Sequence, residues 1–462
     1  MDKLGNKLIK IILESDNSID MEKNMYQAIS EVIVEIVSEA LEKVDDKLVN
    51  SMKVQGYEIE RKDKRKIQFL FGDVTFARRL YRKGKKYKYA LDECLCLRSY
   101  RRYSSLTEAK FAEISTSSSF SKSAEAINKV STLNVSPSGV HKITQRVAAK
   151  VIEYTEKNRK KSKVKRKVPI LFLEGDGLIV KSQKKRRISI HRFQVHEGVI
   201  KEGNRTKTIN LHRCTDTSRR KAYKDMLRYL HDNYDLTDTI VLTNSDNGSG
   251  YEPEVFQELT LECKQHEHFL DKYHLNRKIE ERMYFCDFEL IKKMKQAIYD
   301  YSKKDVEIVL DTMESIAVIK KDHSQSKRAT EKLAAYLNRN WDYIKPLNLR
   351  KIEGVSSSKG LGICENSHRP YVYRMKRQGK TWSPGGAKNM VKLIDSLEND
   401  VFEEAIKADN QKENLESIPE PKINMNDILL DRFIEHTAVK NGKINSESKS
   451  SPLGIIKKIF NS

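Results

Sequence analysis

The sequence predicts an α/β protein: a mixed sheet carrying an all-helical insertion, preceded by an N-terminal region of helices and a β-hairpin. Three observations carry this. Between residues 168 and 270, β-like and helical runs alternate in an order that builds one sheet with helices packed on it. From Tyr273 to Tyr343, apolar residues recur mostly at three- and four-residue intervals. Before residue 104, a long amphipathic stretch leads into two alternating runs rich in aromatic and β-branched residues. A chain of 462 residues with 38% hydrophobic content has room for two or three units.

From Ile19 to about Met52, Ile29, Val32, Ile33, Ile36, Val37 and Leu41 share one face, which predicts a long amphipathic helix. The runs from Tyr57 to Arg61 and from Lys66 to Tyr81 predict a basic β-hairpin with Gly72-Asp73 as its turn. Its cations, Arg78 and Arg79 among them, are candidate DNA contacts, although such a run is commonly a solvated face. Short helices follow over 106–114 and 121–130, and a third starts at Ser136-Pro137, where a hydroxyl can cap free amides and proline suits the first helical position. This pattern predicts a helix-turn-helix-like region presenting Ser138, His141, Lys142 and Gln145 to a major groove, against the plainer reading of a helical packing module.

The run from Lys157 to Val168 has no apolar face to bury and reads as a cationic linker. Beyond it come strands over 168–181, 187–195 and 205–214, a helix over 218–233, a strand over 239–245, a helix over 252–260 and a strand over 262–270. That order is expected of an RNase H-like mixed sheet. The helical insertion occupies 273–345, and residues 365–396 predict a helical return to the sheet. The expected division is therefore 1–104, 105–157, 158–272, 273–345, 346–400 and a polar tail over 401–462, in which only Ile423 to Phe433 and Pro452 to Phe460 have structure-forming character.

Formal charge is +22, from 87 Lys+Arg against 65 Asp+Glu. Such a field attracts polyanions, and double-stranded DNA is the leading partner. No apolar run approaches the roughly 20 residues that a membrane-spanning helix needs, and Met1-Asp-Lys-Leu-Gly has no signal-peptide core. The expectation is a soluble, intracellular protein of the cytoplasm. Six cysteines without a Cys-x-x-Cys rhythm argue for reduced thiols rather than a disulfide framework or zinc ribbon.

Asp176 and Asp246 each lie in or at the end of a β-like run and are followed by flexible residues, Gly177 and Asn247-Gly248. Singly, each reads as an ordinary turn closing a strand. On adjacent strands of a basic chain, the pair suits the hard-oxygen coordination of Mg²⁺ (or Mn²⁺) that phosphodiester chemistry requires. Glu365 is the third candidate, with Glu353 as its competitor. It is followed by Arg369, Arg374 and Lys376, cations able to hold a phosphate. Asp271 and His274 fall at a strand-to-helix transition three residues apart and could share one helical face. His266 and His268 alternate along one strand, but no third metal ligand accompanies them.

These residues carry a family likeness. The segments Ile67 to Tyr81, Glu174-Gly-Asp-Gly, Asp271-Lys-Tyr-His-Leu and, most specifically, Arg374-Met-Lys-Arg-Gln-Gly-Lys-Thr-Trp-Ser-Pro-Gly-Gly-Ala-Lys-Asn-Met resemble the ISLre-type bacterial insertion-sequence transposases, related more loosely to the Mutator-like transposases. The resemblance covers roughly residues 20 to 400. It implies a DDE transposase with Asp176, Asp246 and Glu365 as Mg²⁺-holding catalytic residues and Asp271 with His274 as an accessory pair. Terminal-repeat and target DNA would be its partners, with a homo-oligomer assembled on them. Departures are Asn244-Ser-Asp-Asn-Gly at the second aspartate and an approximate match at Cys364-Glu365-Asn366. Two rivals remain: another RNase H-like nuclease, and a transposase-derived DNA-binding protein without catalysis.

Overall fold

The computed structural model describes residues 2–158, 164–184, 186–203, 205–320, 322–350, 352, 354–355, 360–377 and 379–410, apart from the side chains of residues 2, 3, 205, 365 and 366. The described residues fall into two units divided after Arg102.

In the first unit, α1 (Asp2–Glu14) precedes the long helix α2 (Ser18–Val54), which begins where Asn17 Oδ1 accepts the amides of Ile19 and Asp20. The predicted hairpin is β1 (Glu58–Phe69) against β2 (Gly72–Lys83), extended by β3 (Lys86–Lys88) and followed by α3 (Ala90–Cys94). Its turn falls two residues earlier than expected. Phe69 pairs with Gly72, so Leu70 and Phe71 make the turn, and Gly72, with φ +144°, opens the returning strand in a conformation that favours glycine. Helix α2 lies on β2, where Glu42 accepts the amide of Ala77 and Asp45 that of Arg79. Leu48, Met52, Ile67, Val74, Phe76, Tyr81 and Leu91 fill the core between them. Each large side chain buried there contributes about 1.5–3 kcal/mol.

This packing redirects two expected DNA contacts. Arg78 joins Arg65 on Asp92 and lies 3.6 Å over the Tyr89 ring, while Arg79 bridges Asp45 and Asp46 at 2.6 Å. Half-buried guanidinium groups must be paired, and these are paired within their own unit. The exposed cations of the hairpin include Lys62, Lys64 and Lys66 of β1, Arg82 and Lys83 of β2, and Lys85 and Lys86 at the β2–β3 turn.

The second unit opens with α4 (Ser105–Ser115), α5 (Phe120–Val130) and α6 (Pro137–Lys157), capped by Ser104, Ser119 and Ser136. The Ser136-Pro137 start forms as predicted, with Ser136 Oγ accepting from Gly139 N at 3.1 Å. Then follow β4 (Ile170–Val180), β5 (Ile188–His196), β6 (Val199–Glu202), β7 (Arg205–Thr208), β8 (His212–Asp216), α7 (Arg219–Asn233), β9 (Ile240–Ser245), α8 (Pro253–Leu259) and β10 (Gln265–Leu270). The strand expected over 205–214 is split. Asn210, at φ +49°, breaks it into β7, which pairs with β6 in a separate ribbon, and β8, which joins the main sheet.

That sheet has the order β10-β9-β4-β5-β8, with β4, β9 and β10 parallel and β4-β5-β8 antiparallel. One face packs Leu171, Leu173, Phe193 and Val241 against Met226, Leu230 and Phe256 of α7 and α8. The insertion is α9 (Lys272–Arg282), α10 (Phe288–Tyr299), α11 (Lys303–Ile319) and α12 (His323–Ile344), whose core of Leu275, Ile279, Met294, Val309, Met313 and Leu333 matches the predicted helical stripe.

The return to the sheet is segmented: α13 (Cys364–Ser367), α14 (Arg369–Tyr371), a π-helical turn over Val372–Lys376, α15 (Pro384–Glu398) and α16 (Phe402–Asp409). Leu393 of α15 and Phe402 and Ala405 of α16 complete the core of Phe111, Ile127, Val140 and Val147. The helix-turn-helix-like region therefore shares a core with the return helices, although a boundary at 157 was expected. Helix α16 continues the described fold past 400, because it has that core to bury against. The segments Ile423 to Phe433 and Pro452 to Phe460 lie outside the described residues.

Candidate active site

Strand register brings three carboxylates into one row. Glu174 of β4 pairs with Asn244 of β9, and Asn244 with Phe269 of β10. Two positions further on stand Asp176, within β4 just past its pairing with β9, and Asp246 and Asp271, which directly follow β9 and β10, so the register sets the three acids at one level of three adjacent parallel strands. Carboxyl ends of parallel strands are where open α/β sheets present ligand-binding groups.

Close packing fixes the backbone there. A Cβ at Gly175 would lie 2.7 Å from Tyr251 Cδ1, and Tyr251 OH donates to Asp176 O at 2.8 Å. After β9 the chain turns at Asn247, φ +50°, and Asp246 Oδ1 accepts from Gly248 N at 2.8 Å. Asn247 Nδ2 donates to Asn340 Oδ1 of α12 at 2.8 Å, which ties this turn to the insertion.

Asp176 is the hub. His368 Nε2 sits 2.7 Å and His274 Nε2 3.9 Å from its Oδ2, while Gly177 N donates to Oδ1. Burial pushes its carboxyl up, but the hydrogen bond and charge of His368, the Gly177 amide and the charge of His274 together hold it below the usual carboxylate range. Asp271 caps α9 by accepting from His274 N at 2.9 Å, and burial, then the charge of Asp176, raises its carboxyl. Of the expected accessory pair, His274 approaches Asp176, while Asp271 feels its charge. His368, three residues beyond Glu365, is the nearest side-chain partner of Asp176.

Two buried charges hold the segment bearing Glu365. Glu174, pushed up to about 7 by burial, accepts from Gln194 Nε2 at 2.8 Å and from the amides of Gly362 and Ile363. Arg192, 1% exposed, donates to Ser367 O at 2.7 Å and to Cys364 O. The backbone of Glu365 therefore lies in a helix pinned between β4 and β5. Its side chain and the whole of Glu353 fall outside the described residues. No sequence pattern marked Glu174, Arg192 or Gln194 as a group; only the alternation of β4 and β5 places them on one face.

Of the expected groove-facing residues, Ser138, His141 and Lys142 are exposed, with His141 edge-on to Phe120. Gln145 is half-buried and accepts from Asn389 Nδ2 at 2.7 Å. Arg369 and Lys376 are exposed, but Arg374 is not a surface cation. It is 2% exposed, flanked by Phe120 and Trp382 at 4.8 Å each, and donates to Ser115 O. The π-helical turn and the aromatic pair draw it inward. His266 and His268 both hydrogen-bond Thr243 Oγ1 at 2.8 Å, and burial lowers them to about 4 and about 3, so they are neutral packing groups.

Magnesium takes hard oxygen donors, and the row of Asp176, Asp246 and Asp271 supplies that donor type. The like charge between Asp176 and Asp271 is a repulsion that a bound cation relieves. As they stand, the described His, Cys, Asp and Glu residues form no group of three arranged around one ion. Among the described residues no helix is long and apolar enough to cross a membrane.

The family described as uncharacterised protein family UPF0236 matches residues 15–412. A UPF0236 protein from the vanSb 3′ region of Streptococcus gallolyticus is 35% identical over 459 residues, covering 97% of this chain and 98% of that one. A UPF0236 protein of Caldanaerobacter subterraneus subsp. tengcongensis, whose name joins eleven loci, is 24% identical over 376 residues, 79% of this chain and 75% of its own.

Proposed function

The chain belongs to the UPF0236 family, and we propose that it is a DDE-type DNA transposase with an RNase H-like catalytic core. The observation that carries this reading is the row of Asp176 in β4 with Asp246 and Asp271 directly after the parallel strands β9 and β10, in a mixed sheet whose order β10-β9-β4-β5-β8 supports an RNase H-like reading of the core. The charge of +22 suits a DNA substrate. A relative named for eleven loci of one genome is also what a mobile sequence leaves behind.

In this reading the enzyme cleaves a phosphodiester at the insertion-sequence ends and then joins the released 3′-hydroxyl to target DNA. Mg²⁺ or Mn²⁺ held by Asp176, Asp246 and Glu365 would supply Lewis-acid stabilisation of the charge that develops on the phosphate oxygens. His368 orients the Asp176 carboxylate from 2.7 Å, as an outer partner of a metal ligand does. Glu174 and Arg192 fix the backbone that presents Glu365. Asp271 holds the start of α9 and so the position of His274. The exposed start of α6, with Ser138, His141 and Lys142, is the surface for end recognition.

The test is to incubate the purified chain with DNA carrying its own insertion-sequence ends, with Mg²⁺ or with EDTA, and map the nicks. Mg²⁺-dependent nicks at the ends are expected. Binding without nicks under any divalent ion overturns the reading in favour of a DNA-binding protein that does not cut.

A further inference from the structure

The segment Arg374 to Gly386 is the most specific motif of the sequence, and the active site does not use it. It lines a separate cavity of about 270 Å³ together with the start of α6. The walls include Phe120, His141, Gln145, Arg374, Lys380 and Trp382. Three donor groups there lack a protein hydrogen-bond partner among the described residues: Arg374 Nη2, Lys380 Nζ and Gln145 Nε2. No Asp or Glu is among the lining residues. Burial and then the charge of Arg374 lower Lys380 to about 8, the response of a cation facing another cation without a counter-charge. Ser383 and Gly386, in the capped first turn of α15, form one edge, so the positive end of that helix dipole adds to the same field.

We propose that this cavity is a phosphate-binding site, and that the phosphate it takes is a backbone phosphodiester of DNA lying across the start of α6. Buried, unpaired donors cost about 1–3 kcal/mol each unless something accepts from them. A phosphate oxygen is the acceptor that suits a guanidinium, an ammonium and an amide together. DNA is favoured over a free anion by position, because His141 and Gln145 of the wall belong to the helix whose exposed first turns carry Ser138 and Lys142. The site positions DNA and reads no base. It rests on the transposase reading only for the identity of its polyanion.

The chain has two tryptophans. Trp341 stacks on Tyr301, and Trp382 lines the cavity. In a Trp341→Phe protein, emission reports on Trp382 alone. Titration with a short duplex of the insertion-sequence end should shift this emission at far lower phosphate concentration than inorganic phosphate does. Lys380→Met in the same background should weaken duplex binding about tenfold or more at fixed salt. It should also flatten the slope of log K against log salt by about 0.9, one phosphate contact's worth. Its melting temperature should be no lower than the parent's, since an unpaired cation is removed, which separates the effect from unfolding.

Parental affinity and slope in Lys380→Met overturn the site, and so does emission unmoved by either ligand. A response to inorganic phosphate but not to the duplex overturns its assignment to DNA. Mg²⁺-dependent nicking that Lys380→Met leaves unchanged sinks this site alone, whereas a Trp382 response to duplex without nicking sinks the transposase reading alone.

Discussion

Replacing Arg192 with Met tests how the segment bearing Glu365 is held against the sheet. The guanidinium is buried and donates to two backbone carbonyls of that segment, Ser367 O at 2.7 Å and Cys364 O, while its Nη2 also lies 3.0 Å from Cys364 Sγ. Methionine fills most of the volume and leaves both carbonyls without their donor. Hydrogen bonds to a charged group are worth about 1.5–3 kcal/mol each, roughly 3–6 kcal/mol for two. Relief from burying a cation offsets part of this, leaving a net cost of about 2–4 kcal/mol. At roughly 2–4 °C per kcal/mol for a unit of this size, the melting transition should fall by about 4–16 °C. Hydrogen exchange should quicken at residues 362–368 well below the transition, because that is where the anchor is lost. Thermal melts and exchange on the full chain check both. A shift under about 2 °C with unchanged exchange at 362–368 refutes the anchoring role.

Other substitutions separate the remaining roles. Glu365→Gln should reduce cleavage of pre-bound end DNA at least about a hundredfold, the usual cost of losing a catalytic group, while Glu353→Gln should be nearly silent; the reverse order of effects moves the third ligand to Glu353. A Ser138→Ala/Lys142→Ala double variant should narrow the preference for end DNA over random DNA at one fixed salt concentration, and an unchanged preference removes α6 from recognition. Burial lowers His196 from its ordinary value near 6.5 to about 4, so it contributes stability that is full above pH 6.5 and lost as pH falls towards 4. His196→Gln should lessen the acid slope of unfolding free energy by about 1.4 kcal/mol per pH unit in that window, and denaturant melts at pH 4.5 to 7 would expose an unchanged slope.

Legibility in the sequence followed the range of the interactions. The helix α2, the strands β4, β5, β9 and β10, and the insertion all declare themselves through local period, because each buries one face of a regular element. Asp176, Asp246 and Asp271 could be picked out because each lies in or directly follows such a run. The partnerships of Arg78 and Arg79 could not, since Asp92 and Asp45 lie on other elements and a basic strand looks alike whether paired or free. The same holds for Glu174, Arg192 and His368, which meet across 172 positions or more in Arg192 to Cys364, Glu174 to Gly362 and Asp176 to His368. The boundary expected at 157 rested on a cationic run, yet α6 finds its core partners in α15 and α16, far along the chain. Turn placement at Gly72 and the break at Asn210 depend on single backbone conformations that composition does not fix.

Asp176 of β4 and Asp246 directly after β9 are proposed to form a phosphodiester-cleaving centre. This is tested most directly by single-turnover cleavage of pre-bound end DNA in Mg²⁺ by the parent, Asp176→Ala and Asp246→Ala, with affinity for the same DNA measured in parallel. Both variants should keep or slightly gain affinity, since only negative charge leaves a basic surface, and neither should produce nicks. Parental cleavage by either variant contradicts it.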